Sequence, residues 1–212
     1  MGSYIDKLVL ISSDQLSQRK VAPPLEILEL AGELGNELED LLNVKNGFFA
    51  FESALRVFPS LTSESSIGLV DWNANSLWRK DYSGFTDGAL FFAEDIFGGQ
   101  FCIKNNVICS FDPETGSFEE MASNFESWVQ EILSDYNVWT GYSLAHEWQE
   151  AYGSLPNDMR LMPKVPFVCG GAFELDNLSA IKAVSGMRTR ANLACQIANL
   201  PDGAQIEFKI IE

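Results

Sequence analysis

No lysine or arginine occurs between Asn105 and Met159, a stretch that carries ten aspartates and glutamates, with His146 as its one possible cation. Nucleic acid and anionic membrane both need basic side chains to release counterions, so a chain with a formal charge of −16 is a poor direct ligand for either. Apolar runs long enough to cross a bilayer are also missing. The N-terminal MGSYIDKLVLIS has one lysine, a short apolar patch and no small-residue cleavage signal, which reads as the start of a soluble, cytoplasmic protein. Cysteine usage agrees with that reading. Cys102, Cys109, Cys169 and Cys195 form no C-x-x-C pair, so no zinc site is expected. If Asn105-Asn106 is a two-residue hairpin turn, Cys102 and Cys109 fall opposite each other at a hydrogen-bonded pair, where cross-strand geometry suits a disulfide poorly. Four free thiols follow.

Catalytic signatures are equally scarce. There is no G-x-S-x-G, and the partial metalloprotease pattern His146-Glu147-Trp-Gln-Glu150 has a glutamate where that chemistry needs its second histidine. In FAEDIFGGQFCI, residues 92–103, the glycines lead into a strand-like run and Lys104 is the nearest cation, whereas a phosphate loop leads into a helix N-terminus. Glu94 and Asp95 are adjacent on an extended chain, so they point to opposite sides and cannot readily share one substrate atom. They read as surface carboxylates at a loop edge, one of them a turn former. No enzyme, cofactor or metal is expected.

What is present is a core. A 46% hydrophobic fraction with 12% aromatics over 212 residues suits one globular domain better than two. Leu25 to Leu42 has helical spacing and ends at Asn46-Gly47, and Ala54–Phe58 and Ile67–Trp72 read as strands. Ala89–Ala93, Gln100–Lys104 and Val107–Phe111 read as three more, followed by a turn at Asp112–Gly116. Ser117 and Glu120 suggest a capping box that opens a helix from Met121 to Tyr136, with Trp128 on its apolar face. A shorter helix covers Leu144–Tyr152. Beyond it lies a strand-helix-strand unit: Val165–Phe173, Leu178–Leu200 and Ala204–Ile211. The expected fold is α+β, a mostly antiparallel sheet of about six to eight strands with helices packed on it. Residues 1–163 form the core and 164–212 an extension within the same globular unit.

The order FAFESALRVFP, LFFAEDIFGGQFCI, a hairpin, FDPETGSFEEMASNFESWV and WTGYSLAHEWQ resembles the SUKH superfamily, which contains Smi/Knr-type fungal cell-wall regulators and bacterial toxin-immunity proteins. The C-terminal VPFVCGGAFELDNLSAIKAVSGMRTRANLACQIANLPDGAQIEFKI is similar to the extension of longer bacterial members. The resemblance implies a non-enzymatic module that binds a protein partner, a basic toxin domain such as a nuclease, and blocks its cationic cleft. Candidate contact residues are Glu94, Asp95, Asp112, Glu114, Glu119, Glu126, Glu131, Trp139, Glu147 and Glu150. The alternative is a regulatory scaffold of the fungal kind. A third class, a hydrolase built from distant carboxylates, requires a concave pocket in which Asp or Glu of raised pKa converge.

Overall fold

The apolar run at Ala89 becomes an interior strand of the main sheet. A computed structural model describes residues 3–18, 22–201 and 203–204. Among these, six strands pair antiparallel in chain order: β1 (Phe48–Ala50), β2 (Leu55–Val57), β3 (Ala89–Asp95), β4 (Gln100–Lys104), β5 (Val107–Phe111) and β6 (Phe118–Ala122). A separate two-stranded sheet joins β7 (Met159–Pro163) to β8 (Leu178–Lys182). The helices are α1 (Tyr4–Ile11), α2 (Leu25–Ala31), α3 (Gly35–Val44), α4 (Leu69–Trp72), α5 (Phe125–Ser134), α6 (Tyr136–Thr140), α7 (Tyr142–Tyr152) and α8 (Ala183–Ile197). The expected α+β architecture is therefore the observed one.

Strand β3 lacks polar alternation because both of its faces are covered. Phe91 meets Trp78, Phe111 and Phe118, whereas its neighbour Phe92 meets Phe125 and Trp128 of α5. One side of the sheet thus carries α5. The other carries α4 and a short 3₁₀ turn at Arg79–Tyr82, against which α8 packs. Ala183, Met187, Ala191 and Ala194 of α8 share one hydrophobic cluster with the strands. Helix α8 is consequently built into the main core, and the β7–β8 pairing runs across the boundary expected at residue 163.

The β4–β5 hairpin turns at Asn105 and Asn106, whose φ angles of 53° and 61° are the left-handed pair that a two-residue type I′ turn needs. Cys102 stands opposite Cys109 in that hairpin, and all four cysteines are free thiols.

Several boundaries differ from expectation. Ser117 does not cap a helix; its hydroxyl pairs with Thr115, and Phe118–Ala122 extends the sheet as β6. Asn124 takes over as cap, its side chain accepting the Ser127 N–H at 2.8 Å. The free edge of β5 claimed a segment whose Phe118, Met121 and Phe125 also fit a helical period. Ile67–Trp72 is not a strand but leads into the single turn of α4, with Leu69 and Trp72 buried three residues apart on one side. The helix expected over 25–42 breaks at Gly32, and β1 was not anticipated. Val165–Phe173 holds a 3₁₀ turn at Phe167–Cys169, and the strand of that unit lies later, at β8. The strand expected at Ala204–Ile211 lies outside the described residues from position 205 onward.

Candidate functional site

The stretch Phe92–Ile103 sends its two carboxylates in opposite directions, as extended backbone requires. Glu94 points inward and is fully buried, which corrects the expectation of a surface residue. Its Oε1 lies 2.7 Å from Arg56 Nη2 and 2.5 Å from Arg160 Nε, and both arginines are themselves buried. Gln100 Nε2 donates to Glu94 Oε2 at 3.2 Å while its own oxygen accepts the Trp72 indole N–H at 2.8 Å. Arg56 lies directly across the ladder from Glu94, and Arg160 arrives from β7. This network ties the small sheet to the large one and leaves no opening for a partner.

Asp95 turns the other way and forms the bend. Its Oδ1 accepts the Gly99 N–H at 2.8 Å, and its own N–H donates to the Gly99 carbonyl at 2.8 Å. Gly98 holds φ at +79°, and a Cβ there would fall 2.5 Å from Arg190 Nη2. The two glycines therefore serve the turn and the approach of Arg190.

Beside this bend opens a cleft of about 380 Å³. Its floor includes Gln100, Phe101, Ser110 and Phe111 of β4 and β5, and its walls include Val138 and Trp139 of α6, the 167–173 segment and Arg190 of α8. Phe167 and Phe173 stack with centroids 3.8 Å apart, and Phe97 meets both edge-on. The rim is apolar, because Phe173 is 61% exposed, Val138 73% and Val168 43%. Three carboxylates stand in it: Asp95, Asp112 and Glu114. Burial pushes Asp95 up to about 7 against the pull of the Gly99 N–H and the Arg190 charge, and Glu94 adds to the rise. Burial likewise raises Glu114, opposed by the Val168 N–H that it accepts at 2.8 Å and by Arg190. Arg190 itself is spent on backbone carbonyls, donating to Phe97 at 2.6 Å and Gly186 at 3.2 Å.

Of the ten candidate contact residues, Asp95, Asp112, Glu114 and Trp139 converge on this cleft. Glu114 is buried there rather than displayed on the surface, and Trp139 is half-buried against the core. Glu94 is withdrawn into the ion-pair network. Glu126 is also drawn inward, because its carboxylate receives the Tyr4 and Ile5 N–H groups at the start of α1, where a negative charge suits the helix dipole. Glu119 on β6, Glu131 on α5 and Glu147 and Glu150 on α7 are exposed and do not line the cleft. Sequence reasoning missed Phe97, Phe167, Phe173 and Arg190. A signal for Arg190 existed: it falls in helical register with Met187, Ala191 and Ala194, a charge on an otherwise apolar stripe.

A scan against protein-family models finds no match to this chain, and a search of curated proteins finds none either. Among solved structures, the crystal structure of Atu4351 from Agrobacterium tumefaciens is similar at a TM-score of 0.56 with 10% sequence identity, covering 89% of this chain and 88% of that one. Likeness at that identity is a statement about the fold.

Proposed function

We propose that this protein is a non-enzymatic binding module that docks a basic protein domain through the aromatic, carboxylate-bearing cleft. The observation that carries the reading is the combination at one place of an exposed apolar rim, three carboxylates and, among the described residues, a single arginine that donates to backbone carbonyls. Aromatic anchors in a partly desolvated pocket are where binding energy concentrates in protein interfaces. The charge of −16 would speed association with a cationic partner and make it salt-sensitive. The resemblance to SUKH proteins adds the partner class, a bacterial toxin domain blocked in the cytoplasm of the cell that makes it. The test is to mix the protein with the product of an adjacent toxin-like gene. A salt-sensitive complex and protection of cells are expected; absence of both refutes the reading.

One observation favours a second reading. Two carboxyls of raised pKa in one concavity are what a carboxylate-based hydrolase would need. Both are held by backbone N–H groups inside an open hydrophobic rim, a setting that suits docking better than the enclosure of a reaction. Turnover with a bell-shaped pH profile that Asp95→Asn abolishes would put this reading first.

A further inference from the structure

The docking reading names a basic partner but not what enters the cleft. Its charge balance decides the sign of the occupant. Among the described residues, Asp95, Asp112 and Glu114 face one cation, Arg190, which donates to the carbonyls of Phe97, Gly98 and Gly186. An anionic ligand would meet three carboxylates and an arginine turned toward backbone carbonyls, whereas a carboxylate has room for about four hydrogen bonds. Asp95 receives the Gly99 N–H at 2.8 Å and the pull of the Phe97 N–H, and Glu114 the Val168 N–H at 2.8 Å and the pull of the Phe167 N–H, which leaves capacity on both. The aromatic faces decide the shape. A planar guanidinium stacks on rings and forks onto carboxylates, while a compact ammonium does neither as well.

Resting on that docking reading, we propose that the occupant is one arginine side chain of the partner, laid against the Phe167–Phe173 pair with its guanidinium between Asp95 and Glu114, and that seating it releases a proton. The groups that govern the proton come from every wall. Arg190 of α8 faces both carboxyls, Glu94 lies behind Asp95, and Asp112 lies beside Glu114. Tyr82 and Cys169 complete the neighbourhood, each held toward its neutral form first by burial. Asp95 titrates near 7, so at neutral pH it is divided between its two forms, and an incoming cation selects the ionised one.

The test needs no toxin. The capped tripeptide acetyl-Leu-Arg-Leu-amide is titrated into ¹⁵N-labelled full-length protein, with the amides of Gly99 and Val168 as reporters because they donate to the two carboxyls. Both amides are expected to shift with the arginine peptide, and affinity is expected to rise about tenfold from pH 6 to pH 8 as one carboxyl ionises. Asp95→Asn keeps an oxygen for the Gly99 N–H, so the bend is retained while the charge goes. It is expected to weaken binding about tenfold at pH 8 and to flatten the pH dependence. Phe173→Ala, at the exposed rim, is expected to weaken binding at every pH. Equal binding of a norleucine or lysine peptide overturns the proposal, as does affinity that falls with rising pH. Peptide binding without capture of any toxin domain would leave this inference standing and remove the immunity reading. Capture of a toxin domain that leaves Gly99 and Val168 unmoved would do the reverse.

Discussion

Replacing Glu94 by glutamine removes one charge from between two buried arginines while preserving shape. Glu94 is 0% exposed and its partners Arg56 and Arg160 are 1% and 0% exposed, so solvent has no access to screen the loss. At an effective dielectric constant of about 20, each arginine–carboxylate contact is worth about 4 kcal/mol of attraction. The arginines repel each other, and burial already draws Arg56 below its usual value. Without the carboxylate, two cations remain in the interior facing a neutral amide. Breaking a buried pair in this way costs about 3–5 kcal/mol. With a urea m-value of about 3 kcal/mol/M for a chain of this size, the unfolding midpoint should fall by about 1–1.7 M.

Tryptophan fluorescence reports the transition, since Trp72, Trp78 and Trp128 are buried in the same core. A triple variant, Arg56→Met, Glu94→Leu and Arg160→Met, replaces the whole network with apolar side chains. It should be within about 1 kcal/mol of the parent or more stable, because the desolvation cost of all three charges disappears with their attraction. A loss below about 1 kcal/mol for Glu94→Gln, or a triple variant less stable than the single one, would refute the argument. Because Arg160 lies on β7, amide exchange in β7 and β8 should accelerate more than in β4 when Glu94 is neutralised.

Asp95→Asn should gain stability relative to the parent as pH rises from about 4 to 7. The folded protein holds a proton on Asp95 up to about 7, while the unfolded chain releases it near 3.8, so the parent loses stability across that window at up to about 1.4 kcal/mol per pH unit. A difference in urea midpoint that does not change with pH contradicts this. Glu126→Ala should release the start of α1 and cost about 1–2 kcal/mol, seen as faster amide exchange confined to α1. His146, hydrogen-bonded to Glu52 at 2.8 Å and near Glu147 and Glu150, should titrate above the ordinary 6.5 by NMR, and Glu52→Gln should return it toward that value. Glu52 is correspondingly lowered, so the pair's contribution fades both as pH falls through the Glu52 titration and as it rises through that of His146.

Local chemistry made part of this fold legible. The Asn105-Asn106 turn sets the register of β4 and β5 by itself, and the apolar run at Ala89 announces a strand covered on both faces. Errors arose where tertiary contacts outvoted local pattern. The segment Phe118–Ala122 satisfies a helical period and follows a plausible cap, but an unpaired β5 edge offers it a ladder, and Asn124 provides the later cap. Gly68 and Leu69 could extend as a strand, yet the Leu69 N–H is taken by the Pro59 carbonyl and Asn73 bridges to β3 through Phe91, which fixes the turn of α4.

The site was legible only in halves, for a reason that lies in how charge is read from a sequence. Ten acidic residues without a basic neighbour suggest one electronegative surface, but that inference assumes each carboxylate faces water. Glu126 belongs to the cation-free stretch and is consumed by a helix start, and Glu114, also from that stretch, is sunk in the cleft. Glu94, just outside it, is consumed by two arginines that sit in apolar strands, at Leu-Arg-Val and Met-Arg-Leu. Those two arginines and Arg190 were the readable clue, because a cation on an apolar face must find an internal acceptor. Counting such misplaced cations separates the carboxylates they pair with from those left without a cation. Arg56 and Arg160 account for Glu94, and Arg190 turns to backbone carbonyls instead. Asp95 and Glu114 are thereby left beside the aromatic wall without an ion pair within 4.0 Å among the described residues, which is the observation that the proposed docking of a cation rests on.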